Sequence, residues 1–232
     1  MGNRAELAHK LDELMAIENK RYLDEVPRAS HLTDTKPLDE SYYLRHRIET
    51  IKRIRMTALT DALSLAAMVE EDYEAARIWG RYVCEELDHD RLFYDDLARH
   101  GVSRAEVDAV APFPATVLLG AYLRRRIGED GSLPAVAYSL FVEWNSERFS
   151  RAAVEKAATA FGLSYVEGSR SHLDIDDTED HYEMMLDIVE RLCRRPGAEK
   201  ALLNDISEIS KLFRRYFTEL QEYSDAAQMQ MA

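Results

Sequence analysis

Three observations predict an all-α bundle. Nine Gly and six Pro in 232 residues leave few turns. Apolar residues recur at helical spacing through most of the chain, and no stretch alternates apolar and polar residues for the length of a convincing strand. With 46% hydrophobic residues a substantial core is available, and no solenoid-type repeat is present. The expectation is one all-α domain of seven or eight helices. An N-terminal helix and loop cover residues 1–38, a helical core covers 39–223 and a flexible tail covers 224–232.

The elements follow in order. Leu7, Leu11, Leu14, Met15 and Tyr22 share one side of a first helix, which gives way to a surface connector holding Pro27 and Pro37. A long helix over 39–68 has an inner side traced by Leu44, Ile48, Ile51, Ile54, Arg55, Leu59, Ala62, Leu65 and Ala66. A second runs over 72–99 and stops at Gly101, after which Ser103 and Glu106 form a capping box for a short helical piece. A helix over 115–126 stops at the run GEDG. Pro134 suits the first turn of a helix over 133–161 that carries Val136, Leu140, Phe141, Trp144 and Val154, and Gly162 ends it. An irregular stretch to Gly168 precedes a helix with an acidic cluster. The last helix, over 198–223, places Leu202, Ile206, Ile209, Phe213, Tyr216 and Leu220 on one side.

Charge and cysteine content narrow the function classes. Forty-three acidic against 30 basic residues give a net charge of −13, which repels phosphate backbones and anionic bilayers, so no nucleic-acid or membrane partner is expected. No apolar run approaches the roughly 20 residues of a membrane helix. Cys84 and Cys193 form no CxxC pair, and the start MGNRAELAHK lacks the apolar core of a secretory signal. A reducing cytoplasm is the expected location.

Acids and histidines that interrupt apolar stripes are informative, because a buried polar group must be satisfied by something. In CEELDHDRLF, Glu86 and His89 are three apart, about 60° around a helix and about 4.5 Å along it, so both can point at one ion. Such spacing also arises by chance in any acidic helical protein. In LFVEWNSERF, Glu143 sits in a stretch otherwise fit for a core, where it needs a cation or a partner such as Arg148. In SHLDIDDTEDHYE, His172 and Asp176 are four apart and share a helical face. His181 would face away on an unbroken helix, but Asp176 or Asp177 can act as an N-cap, and a break there lets His181 swing back. Residues 174–183 hold six carboxylates in ten positions, which also suits an ordinary solvated helix start. A mixed Glu/Asp/His set without thiolate suits iron or manganese better than structural zinc, and five or six ligands suit two ions. Glu49 on the first long helix is a further candidate.

The run EELxHDRLF from Glu85 to Phe93, the following LARHGVS and PFPAT, Glu143, and HxxxD at His172 to Asp176 with a trailing His181 resemble the haem-oxygenase-like diiron oxidases. That family shares its fold with thiaminase-II, TENA/THI-4 and pyrroloquinoline-quinone-synthase proteins. The resemblance covers roughly residues 45–220. It implies a haem-oxygenase-like helical bundle with metal ligands at Glu86, His89, Glu143, His172, Asp176 and His181. Relatives place the last His three residues after the Asp, whereas His181 is five after Asp176, which leaves His181, Asp177 or Asp180 to complete the set.

The resemblance further implies two Fe(II) ions and O2 as co-substrate, with oxidation by C–H abstraction, C–C cleavage or N-oxygenation. Arg45, Arg47, Lys52, Arg53 and Arg55 crowd the first long helix; Arg45, Lys52 and Arg55 are taken as candidates to bind a substrate carboxylate. The expected substrate is a small carboxylate-bearing molecule, an amino acid or a fatty acid if one of these residues points inward, with an amino acid or derivative in natural-product biosynthesis preferred. A homodimer and an external electron donor are both compatible with it. Two rivals stand: a non-oxidative enzyme of the same fold, and a metal-free helical interaction protein. Neither cysteine aligns with the thiaminase nucleophile. A ferritin-like bundle needs a second ExxH, and Glu179 is followed three residues later by Tyr182.

Overall fold

The protein is described by a computed structural model covering residues 4–231, apart from the side chains of 176–179 and 231. The candidate ligands Asp176 and Asp177 therefore lie outside the described side chains. Helix α1 (Arg4–Glu25) leads through the connector to α2 (Glu40–Glu71). Asp39 caps α2 by accepting from the Tyr42 amide at 3.1 Å. Asp72 ends α2 and caps α3 (Tyr73–Glu86), accepting from the Glu74 and Ala75 amides at 3.0 and 2.9 Å. Helix α4 (His89–Arg99) and the short α5 (Arg104–Ala109) follow, the latter opened by the Ser103–Glu106 capping box. Pro114 begins α6 (Pro114–Asp130) and Pro134 lies in the first turn of α7 (Leu133–Asn145). A π-helical turn (Ser146–Ser150) joins α7 to α8 (Arg151–Phe161). A 3-10 turn leads into α9 (Glu167–Glu179), then α10 (His181–Leu192) and α11 (Ala198–Met231).

Among the described residues there are eleven α-helices and no strand. The pairs α3/α4, α7/α8 and α9/α10 are each one helix interrupted, and counting each pair once gives eight. Helices α2, α3, α6, α7, α10 and α11 pack around the main core, and α1 lies across α10 and α11. Leu11 and Met15 of α1, Trp79 of α3, Leu123 of α6, Leu140 of α7, Met185 of α10 and Ile206 of α11 are all buried there. Each apolar methylene removed from water contributes about 0.8 kcal/mol to holding these helices together.

The inner side of α2 differs from its sequence reading beyond Ile51. Leu59 is 51% exposed, and Arg55, Ala62 and Ala66 also face solvent. The buried face is the polar one: Arg53, Thr57, Thr60, Asp61 and Ser64. The reason is physical: Arg53, Thr57 and Asp61 form the wall of an internal cavity, so hydrophobicity does not mark this helix's inner face. The C-terminal residues also differ from expectation. Helix α11 continues through 224–231, and Ser224 and Gln228 both donate to Asp39 at the start of α2.

Candidate metal centre

Each helix interruption brings a polar side chain inward. Between α3 and α4 the chain tightens into i→i+3 bonding, with the Asp88 amide donating to the Glu85 carbonyl and the Arg91 amide to that of Asp88, each at 3.2 Å. Three residues per turn nearly eclipses positions i and i+3. Glu86 Oε1 and His89 Nδ1 accordingly stand 3.1 Å apart, rather than about 60° around an unbroken helix. The second interruption is the π-helical turn directly after α7, which carries Glu143, and π-turns are frequent at functional sites. The third is Asp180, whose φ of 52° and ψ of 54° are left-handed; it caps α10 through the Glu183 amide and makes His181 the first residue of that helix. The break thus falls at Asp180 and not at Asp176 or Asp177.

These turns make a cluster. Glu86, Glu143 and His181 each offer a ligand atom, and the three atoms lie within 4.8 Å of one another. His181 Nδ1 stands 3.7 Å from Glu86 Oε1 and 3.9 Å from Glu143 Oε1. His89 and His172 pack ring against ring at 4.3 Å, and His89 lies 6.3 Å from the His181 ring. The structure therefore brings together Glu86, His89, Glu143, His172 and His181, from α3, α4, α7, α9 and α10. Helix α9 is itself fixed on α4. Asp96, 1% exposed, accepts from the Gly168 and Ser169 amides at 2.7 and 2.8 Å, and a Cβ on Gly168 would meet the Leu92 carbonyl oxygen at 2.0 Å.

Three supporting residues carried no recognised sequence signal. Glu85 Oε2 holds His181 Nε2 at 2.8 Å, which favours the tautomer protonated there and leaves Nδ1 facing Glu86 and Glu143. Tyr82 donates its hydroxyl to Glu143 Oε1 at 2.9 Å. Burial, followed by the charges of Glu143 and Glu86, pushes the Tyr82 pKa well above its ordinary value. Asp61 of α2 is 4% exposed, and its Oδ1 has no hydrogen-bond partner. Burial first, and then Glu86, raise its pKa well above the carboxylate range. Two half-buried or buried carboxylates with a third nearby and imidazoles among them suit a hard or borderline divalent cation. The donor set fits a metal.

Other sequence candidates stand elsewhere. Glu49 is fully buried but already satisfied: Arg45 at 2.7 Å, the Phe113 amide at 2.9 Å and Thr116 Oγ1 at 2.6 Å occupy its oxygens. It ties α2 to α6 and does not stand with the cluster. Asp180 is exposed and serves as the α10 cap. Arg45 is Glu49's partner, Lys52 donates to the Asp108 carbonyl, and Arg55 pairs with Asp90 and Asp108. None of these three basic residues lines the cavity that reaches the cluster, whereas Arg47 and Arg53 do. That cavity, of about 340 Å³, runs from Glu86, Glu143 and His172 past α2 to a mouth near Leu23, Thr33 and Phe149. Its size is that of a small-molecule site.

Comparison with known proteins places this geometry in a fold. A structure of a domain of unknown function with a heme oxygenase-like fold from Shewanella denitrificans OS217 superposes with a TM-score of 0.81 at 19% identity, over 95% of this chain and 94% of that one. A TenA homolog from Pseudomonas syringae pv. tomato str. DC3000 superposes with a TM-score of 0.73 at 16% identity, over 93% of each chain. No family model and no curated protein matches the sequence. The chain has the haem-oxygenase-like fold that TenA homologues share. No helix among the described residues is long and apolar enough to cross a membrane.

Proposed function

We propose that the protein is a non-haem diiron oxidase that uses O2 to oxidise a small carboxylate-bearing molecule. The observation that carries this reading is the convergence of Glu86, Glu143 and His181 within 4.8 Å at the inner end of a cavity, with His89 and His172 beside them. These five residues would hold the ions, together with Asp176 by the resemblance above. Fe(II) held there would supply the redox chemistry for oxidation with O2, by C–H abstraction, C–C cleavage or N-oxygenation. The protein's own groups do the rest. Carboxylates would balance the cationic charge, Glu85 fixes the His181 tautomer, Tyr82 holds Glu143, and Phe93 and Phe141 give the cavity apolar lining.

A non-oxidative enzyme of the same fold remains the second reading, since a TenA homolog superposes on nearly the whole chain. A thiol-based version has little support in the geometry. Cys84 is exposed, burial pushes the Cys193 pKa up to about 11, and neither lines the cavity. The readings separate on one titration. Metal-free protein titrated with Fe(II) under anaerobic conditions is expected to take up about two ions per chain. Glu143→Ala should lose at least one, and admission of air should produce a transient visible band in the wild type alone. Absence of Fe(II) binding in the wild type overturns the proposal.

A further inference from the structure

The cavity has a second charged region, which the acid cluster does not explain. Four arginines among the described residues are buried: Arg45, Arg47, Arg53 and Arg214. Two are answered by buried acids, Arg45 by Glu49 at 2.7 Å and Arg214 by Glu18 at 2.6 Å. The other two, Arg47 and Arg53, are 9% and 8% exposed, line the cavity, and have no carboxylate within ion-pairing distance among the described residues. Arg53 gives Nη2 to Thr50 Oγ1 at 3.2 Å and stands over the rings of Tyr216 and Phe213 at 4.4 and 5.5 Å. Its Nη1 has no acceptor. Arg47 lies over Tyr43 and Phe93 at 5.1 and 5.3 Å, and its Nε has no acceptor.

A guanidinium buried against neutral groups is costly, and aromatic faces compensate only in part. The local field registers the surplus. Burial first, and then Arg47 and Arg53, push the pKa of His46 well below its ordinary value, so this cavity-lining imidazole stays neutral and adds no third positive charge.

We infer that Arg53, with Arg47 adding positive charge to the same cavity, binds the carboxylate of an organic acid whose apolar body lies along the aromatic wall formed by Phe141, Phe149, Phe213 and Phe217. A planar carboxylate matches the guanidinium fork. An α-amino acid fits less well, because its ammonium would sit beside two guanidiniums that have no ion-paired carboxylate among the described residues; Glu18, an acid that also lines the cavity, is engaged by Arg214 and Arg21. Of the amino acid and the fatty acid that the sequence leaves open, the cavity thus favours the simple carboxylic acid. Arg53 and Asp61 lie on the same cavity wall eight residues apart, about 12 Å along α2. Tyr138 lines the same cavity, within the electrostatic reach of Arg53 and of Asp61, Glu86 and Glu143. The cavity is thus cationic at one point and anionic at its inner end. An acid held at Arg53 presents a carbon remote from its carboxylate to the metal end. That last step rests on the diiron reading; the anion site does not.

The test uses full-length metal-free protein and calorimetric titration with decanoate and with decan-1-ol, its uncharged counterpart. The wild type should prefer decanoate by at least about tenfold. Arg53→Met and Arg47→Met should each weaken decanoate by about tenfold or more and leave decan-1-ol unchanged, with Arg53→Lys intermediate. Absence of decanoate binding, equal affinity for both probes, or decanoate binding undiminished in a folded Arg53→Met overturns the inference. If Arg53→Met does not fold, the wild-type preference for the anion decides. Decanoate binding without Fe(II) uptake refutes the diiron reading alone, and Fe(II) uptake without decanoate binding refutes the anion site alone.

Discussion

Glu85 decides which nitrogen of His181 faces the acids. With Nε2 held at 2.8 Å by that carboxylate, Nδ1 is the atom that faces Glu86 and Glu143, where a cation would sit. Partners of this kind are worth about 10- to 100-fold in metal affinity. Glu85→Gln should therefore weaken Fe(II) binding by about tenfold and Glu85→Leu by up to about 100-fold, with melting temperatures close to wild type. Unchanged affinity in both, measured by competition with a chelator, would remove Glu85 from the site. Sequence shows such roles unevenly. Glu49 and Glu143 have the same signature, a carboxylate among aliphatic neighbours, yet Glu49 is satisfied by the Phe113 amide and Thr116 hydroxyl from more than sixty residues further along. Partners that distant are invisible to spacing arguments. Asp61 was hidden differently: the apolar residues Leu59 and Leu63 around it point outward, so periodicity assigned the wrong face of α2.

At the scale of elements, long helices were legible because capping residues, first-turn prolines and stop glycines all act within one turn of the residues they mark. The interruptions at Leu87–Asp88 and 146–150 were not, since local propensity favours continuous helix there and only tertiary packing repays the lost bonds. The break before His181 was partly readable, because Asp is a good N-cap, although it falls at Asp180. That residue allows a test of the break. A left-handed conformation costs a non-glycine residue roughly 1–2 kcal/mol, and Asp tolerates it better than Ala. Asp180→Ala keeps the strain and loses the cap, so a loss of about 1–2 kcal/mol in denaturant unfolding is expected. Asp180→Gly relieves the strain and should lie within about 0.5 kcal/mol of wild type. If Ala and Gly are equally stable, the left-handed turn is not what aims His181.

For the whole molecule, the net charge of −13 divides into a solvated exterior and a small interior fraction at Glu86 and Glu143, set against the two cavity arginines. One further acid ties the two ends of the chain together. Asp39 caps α2 and accepts from Ser224 and Gln228 of the last helix. Burial alone would raise its pKa, but these bonds with Ser41 and the Tyr42 amide outweigh burial and lower it to about 2. The folded value lies below the unfolded one, so Asp39 stabilises the protein above the usual carboxylate range and loses that contribution as pH falls toward about 2. Ser224 and Gln228, within the 224–232 segment read from sequence as a flexible tail, thus hold the last helix to the start of α2, because small polar residues at a helix end can dock on a charged cap that sequence does not show nearby. A chain ending at Tyr223 loses two hydrogen bonds to a charged acceptor, and a loss of about 2 kcal/mol at neutral pH is expected. The difference between full-length and shortened chains should shrink as pH is lowered through the carboxylate range, because protonated Asp39 no longer needs those donors. Urea midpoints of the two chains against pH measure this. Equal midpoints at neutral pH, or a gap that widens with acid, would show that the last helical turns do not act through Asp39.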